Sequence, residues 1–146
     1  MIIYPCGPYT WQARIRKHAA ELEGVGHDCH PAWLFETSYD NDYVGWEKDR
    51  AMVDSRDIKA ADILIAFTCP PDKGPARGGR HVEVGLALAW RKRVIIVGHR
   101  ENIFMHLDQV EFYRYWKDCK AALQPVGGAE QWEDRWTSDL IAGSYR

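Results

Sequence analysis

No apolar run in this sequence approaches the roughly 20 residues that a helix needs to cross a bilayer, which argues against a membrane-spanning helix. The chain also lacks a charge excess: 19 basic residues stand against 21 acidic ones, for a net charge of -2. A nucleic-acid coat or an anionic membrane is therefore not expected as the main partner, although a local basic pocket is still allowed. No Cys-x-x-Cys pair occurs. Cys6, Cys29, Cys69 and Cys119 are scattered, which favours reduced, mostly buried thiols over a disulfide framework. The first residues, Met1-Ile2-Ile3-Tyr4-Pro5, carry no charged segment leading into a long apolar one, so a secretory signal is not expected and the location reads as cytoplasmic. Internal repeats, low-complexity segments, a Walker A motif and a G-x-G-x-x-G loop are all missing.

What is present is an ordinary globular balance, 46% hydrophobic and 27% charged over 146 residues, enough for one domain with a real core. The seven tryptophans are scattered and read as core and interface filling, with stacking on a planar base open to one or two of them. Ile2–Tyr4 reads as a buried strand that breaks at the turn Pro5-Cys6-Gly7-Pro8. Thr10 is a fair N-cap for a helix through Leu22, which Gly24 and Gly26 end. His27–Pro31 has room for a short strand, and Trp33–Gly45 reads as a long loop. Trp46–Ala61 reads as a helix and Asp62–Thr68 as the clearest buried strand. A Pro/Gly-rich loop, Cys69–Gly79, leads to a helix over Arg80–Arg91 and a strand over Val94–Val97. An edge strand at Gln109–Tyr113, a helix within Phe112–Leu123 and a helical tail over 129–146 complete the pass.

Strands alternating with helices imply a parallel sheet covered on both faces, with ligands at the carboxyl ends of its strands. That edge would gather Cys6-Gly7-Pro8-Tyr9, the loop Cys69–Gly79 and the segment Gly98–Asn102. The most informative stretch is Arg77-Gly78-Gly79-Arg80-His81-Val82-Glu83-Val84-Gly85-Leu86-Ala87. Its two glycines let backbone pass close to a ligand. Glu83 falls in the first helical turn by this reading, where the dipole favours an ionised carboxylate. Gly85 would permit close packing or close ligand approach. An ionised carboxylate at the mouth of a cleft suits attack on an electron-poor carbon or stabilisation of an oxocarbenium ion. A carboxylate that only improves the helix start fits the spacing as well.

Ala61-Asp62-Ile63-Leu64-Ile65-Ala66, a Gly-rich loop, Val82-Glu83-Val84-Gly85-Leu86-Ala87 and Arg93-Val94-Ile95-Ile96-Val97 together resemble the nucleoside 2-deoxyribosyltransferase family, which includes the 2'-deoxynucleoside 5'-monophosphate N-glycosidases. Ile3-Tyr4 and Gly7-Pro8 resemble that family's first strand and loop, so the likeness covers roughly residues 1–110. It implies a Rossmann-like (flavodoxin-like) α/β sandwich around a mostly parallel sheet of about five strands. It implies a deoxynucleoside or deoxynucleotide as small-molecule partner, no metal, no organic cofactor, and a homo-oligomer in which a neighbour completes the site. Glu83 matches the nucleophile that takes up deoxyribose at C1'. Asp54, in Asp54-x-x-x-Ile58-x-x-x-Asp62, matches the acid that handles the base, with Asp57 as a rival. Tyr4 matches a tyrosine that holds the nucleophile. Gly7, Pro8 and Tyr9 would line the base pocket, Gly78 and Gly79 would bind substrate through their backbone, and Asn102 resembles a residue that reaches the neighbour's site. Six residues before the glutamate, where the transferases carry an acid and the monophosphate glycosidases a small hydroxyl residue, stands Arg77. With Arg80 close behind, it suits a phosphate, unless both arginines pair with acids or solvent.

His27-Asp28-Cys29-His30 has no second pair at zinc-ligand spacing and is set aside as a metal site. His81 lies two residues from Glu83, on another helical face, and is read as a ligand contact only.

Overall fold

The computed structural model describes residues 1–36, 45–70 and 78–124. The expected helical tail, Arg77 and the later part of the Trp33–Gly45 loop lie outside the described residues. Four strands form one parallel sheet in the order β1 (Ile3–Cys6), β2 (Ile63–Phe67), β3 (Arg93–Val97) and β4 (Val110–Tyr113). β1 and β2 are buried throughout, as expected of strands covered on both faces. β4 is the edge, and only Val110 in it is fully buried.

Among the described residues the sheet has four strands rather than about five. The segment expected as a strand at His27–Pro31 contributes a single bridge, Asp28 beside Ile2. Its backbone makes two bonds to the outer side of β1, Ile3 N–H to Asp28 O at 2.8 Å and Asp28 N–H to Met1 O at 2.9 Å. Pro31, which has no N–H to give a ladder, then opens the short helix α2 (Ala32–Phe35). The chain thus runs from β1 outward to Asp28 and returns across β1 to β2. That is the reversal of a flavodoxin-like sheet, and it opens a crevice at the carboxyl ends of β1 and β2.

The helices divide between the two faces. α1 (Gln12–Glu23) and α5 (Trp116–Ala122) are joined where Glu21 accepts from the Trp116 indole at 3.0 Å and from Lys120 at 2.7 Å. The His18 ring of α1 lies 5.3 Å from Phe67 and 4.6 Å from Trp116. Phe67 therefore points towards α1 and α5. Ala66, and its registered partner Cys6, point the other way, as the strand period of two requires. On that opposite face lie α3 (Trp46–Ala60) and α4 (Gly79–Ala89).

Three local expectations change. Thr10 is not the cap of α1: a 3-10 turn over Tyr9–Trp11 precedes the helix, whose start has no side-chain cap. Part of the expected Trp33 loop is α2. Gly85 is exposed, and a Cβ there would meet nothing within 4 Å among the described residues, so their packing does not require a glycine. All four cysteines are free and buried. No helix among the described residues is long and apolar enough to cross a membrane.

Candidate active site

A cavity of about 630 Å³ opens in the crevice, a volume ordinary for a small-molecule site. The turn after β1 supplies Gly7, Pro8 and Tyr9; α3 supplies Arg50 and Asp54; the start of α4 supplies Gly78, Gly79, Arg80 and Glu83. Residues far apart in the chain are thus brought to one place by the sheet order.

Glu83 is the fifth residue of α4, whose N-cap is Gly78 in the left-handed region at φ 74°. It lies past the first turn, which contains no acidic residue, so the helix dipole acts on it less than its expected position implied. A side-chain contact holds it instead. The Tyr4 hydroxyl donates to Glu83 Oε1 at 2.8 Å, across 79 positions of sequence. Tyr4 itself is 1% exposed and sits beneath the cavity. Burial pushes the Glu83 carboxyl above its ordinary value. The Tyr4 hydrogen bond, a bond from the Cys6 thiol and the Arg80 charge all oppose that push, while the Asp54 charge adds to it. Burial first, then the Glu83 charge, push the Tyr4 phenol far up, so it remains a donor at any working pH.

Asp54 also faces the cavity. Its Oδ1 is buried without a hydrogen-bond partner among the described residues, and burial raises its carboxyl. Arg50, one turn earlier on the same helical face, and a hydrogen bond with Tyr4 partly offset this, while Asp57 adds to it. Asp57 does not line the cavity: its Oδ2 accepts the Ala32 N–H at 3.0 Å and its Oδ1 accepts from Arg56.

Arg80 lines the cavity, but its guanidinium is committed. Nε donates to Glu101 Oε2 at 3.0 Å and an Nη to Oε1 at 2.5 Å. The pairing of Arg80 with an acid, left open by the sequence, is the one the structure contains. Asn102 is not on the cavity: its side chain caps the 3-10 turn Ile103–His106 by accepting the Phe104 N–H at 2.9 Å. His81 does reach the cavity and bonds Glu101 at 2.9 Å.

Several lining residues escaped the sequence reading. Trp33 and Trp46 form apolar wall, and Trp33 is anchored by its indole N–H on Pro5 O at 2.9 Å. Arg50 pairs with Glu36 at the rim. The spacing of Arg50 and Asp54, four apart on a helix, was a usable signal. Nothing in the sequence marked Glu36 or Glu101.

No family model matches the sequence, and no curated protein matches it either. Solved structures do. The CMP N-glycosidase BcmB of Clostridium botulinum is 22% identical over 84% of this chain and 97% of its own, with a TM-score of 0.56. A 2-deoxyribosyltransferase from Bacillus psychrosaccharolyticus is 20% identical over 84% of this chain and 96% of its own, with a TM-score of 0.63. The Leishmania mexicana 2-desoxiribosyltransferase is 17% identical over 87% and 99%, with a TM-score of 0.57. The chain shares their fold.

Proposed function

We propose that this protein is a nucleoside 2-deoxyribosyltransferase-like enzyme. On this reading it cleaves the N-glycosidic bond of a 2'-deoxynucleoside or deoxynucleotide and transfers deoxyribose to another base. One observation carries the proposal: a carboxylate, Glu83, held by a buried tyrosine at the wall of a cavity that also presents a second buried carboxyl, Asp54. The shared fold with two deoxyribosyltransferases and a CMP N-glycosidase is consistent with it.

In the first step a Glu83 oxygen attacks C1' as the C1'–N bond breaks, and the bonding pair leaves with the base. The proton that the base takes up comes from Asp54. Burial, with the Asp57 charge nearby, favours its protonated state over the opposing effects of Arg50 and Tyr4. The ester of Glu83 with deoxyribose is then attacked at C1' by a second base, whose proton returns to Asp54, and Glu83 is released as carboxylate. The absent 2'-hydroxyl eases the oxocarbenium-like state. Tyr4 steadies the carboxylate before attack and after release.

Hydrolysis of a deoxynucleoside 5'-monophosphate is the second reading. It differs only in that water takes the second base's place. Of the two arginines that favour it, Arg80 is paired with Glu101 and Arg77 lies outside the described residues. The test is base release from deoxynucleosides and their 5'-monophosphates, with and without an acceptor base. Base exchange without a phosphate supports transfer. Release only from the monophosphate supports hydrolysis. Binding without release supports a non-catalytic nucleotide-binding module and defeats both.

A further inference from the structure

The loop after β3 delivers a carboxylate to which sequence reasoning assigns nothing. Glu101 has a side chain only 9% exposed, and Arg80, opposite it, is 10% exposed. Five contacts converge on its two oxygens, one of them from the Cys69 thiol at 3.9 Å. Arg80 supplies two, Nε to Oε2 at 3.0 Å and an Nη to Oε1 at 2.5 Å. The His81 ring approaches Oε2 at 2.9 Å, and the Cys69 N–H donates to Oε1 at 3.3 Å. The loop after β2, the first turn of α4 and the loop after β3 are therefore tied at one point. Glu101 is in turn held from its own loop, where its N–H lies 3.2 Å from Met105 Sδ. A bidentate Arg–carboxylate pair fixes orientation as well as distance.

The consequence for the cavity follows from helix geometry. Arg80 and Glu83 are three apart on α4, so they lie on neighbouring positions of one face. Whatever fixes Arg80 fixes the turn that carries Glu83 and the glycine rim before it. We propose that Glu101 is a positioning residue: it sets the start of α4 against the sheet edge and offsets the Arg80 charge that faces Glu83. The proposal rests on Glu83 as nucleophile only for its effect on rate. The groups that face Glu83 are Tyr4 and Cys6 from β1, Asp54 from α3 and Arg80 from α4 itself. Those that face Glu101 are Arg80 and His81 from α4 and Cys69 from the loop after β2. Without the Glu101 charge, Arg80 acts on Glu83 uncompensated and favours its ionised form.

The experiment is a titration of the Glu83 carboxyl by carbon-13 NMR on glutamate-labelled protein, with its signal identified in Glu83→Gln. It needs no substrate. In Glu101→Gln the midpoint of Glu83 is expected to fall by on the order of half a pH unit. Glu101→Asp, which restores the charge, is expected to return it towards the parent value. In Arg80→Gln it is expected to rise. On a substrate that the parent turns over, Glu101→Gln should lower kcat roughly tenfold or more with a smaller change in KM, because displacement of a reacting group costs the chemical step. A residue that only stabilised the loop would lower the melting temperature and leave the Glu83 midpoint in place. An unmoved midpoint in both Glu101→Gln and Arg80→Gln overturns the proposal, and Arg80→Gln decides alone if the first variant does not fold. A shifted midpoint in a protein that releases no base from any substrate would uphold the linkage and defeat the proposed function instead.

Discussion

The Tyr4 hydroxyl stands 2.8 Å from Glu83 Oε1, so the first strand of the sheet directly holds a carboxylate of the fourth helix. This one bond joins the fold to the proposed chemistry. β1 places Tyr4 on the same face as Cys6, and both reach Glu83 from below, while the cavity lies above it. A buried carboxylate needs such donors to remain ionised.

Tyr4→Phe keeps the ring and removes the donor. A hydrogen bond to a charged group is worth about 1.5–3 kcal/mol, so base release should slow by roughly ten- to a hundredfold. The Tyr4 bond lowers the Glu83 value, so its loss should move the acid limb of the kcat/KM profile to higher pH. A pH–rate series on both proteins checks this, and an unmoved acid limb would separate Tyr4 from Glu83.

Asp54→Asn removes the proton source and leaves the shape. General acid catalysis contributes about 10²- to 10⁴-fold, so a neutral base should leave more slowly by that order. A base that already carries a positive charge, as in 7-methylated deoxyguanosine, needs no proton and should lose far less. Equal losses on both substrates would remove Asp54 from the acid role.

His18 should make stability depend on pH. Its ring is packed against Phe67 and Trp116, its Nδ1 lies 3.7 Å from Glu21, and burial lowers its value below the ordinary histidine 6.5. Glu21 opposes that shift, while Arg14 and Lys120 reinforce it. A base depressed in the folded state binds a proton more readily when unfolded, so the stability it contributes is full above about 6.5 and falls as pH drops through its folded value. His18→Leu should remove that part of the slope. Denaturant melts of both proteins across pH 5–8 provide the check, and identical slopes would contradict it.

Gly98 has φ 120°, and a Cβ there would lie 2.4 Å from Thr68 O. Both the backbone conformation and the contact with a rigid carbonyl oppose a side chain. Gly98→Ala should therefore destabilise by about 2 kcal/mol or more, read as a lower melting temperature. A change within error would mean that the end of β3 shifts freely.

Much of this was legible before the structure, for physical reasons. Ile63–Phe67 and Val94–Val97 are apolar without alternation, the pattern of strands covered on both faces. The Gly-rich stretch before Glu83 marked a loop at the sheet edge. Other features depend on partners that spacing cannot reveal. His27–Pro31 had the length for a strand, but it makes one bridge, Asp28 beside Ile2, before Pro31 opens α2. The sequence left open whether Arg80 meets an anion or an acid of the chain, because its partner Glu101 lies 21 residues later. Within its own chain Asn102 caps a 3-10 turn, a use that a side chain of this type serves in many loops. Gly85 sits in a motif yet touches nothing among the described residues that would exclude a Cβ.

The nucleophilic role of Glu83 is tested most directly by the mass of the chain during turnover. A 2'-fluoroarabinosyl nucleoside should react slowly, because its fluorine destabilises the oxocarbenium-like state, and let the ester accumulate. The expected result is an intact protein heavier by one fluorinated pentosyl group, carried on the peptide that contains Glu83, and no such species in Glu83→Ala. Base release at the parent rate by Glu83→Ala, or release by the parent with no adduct at any time, would contradict it.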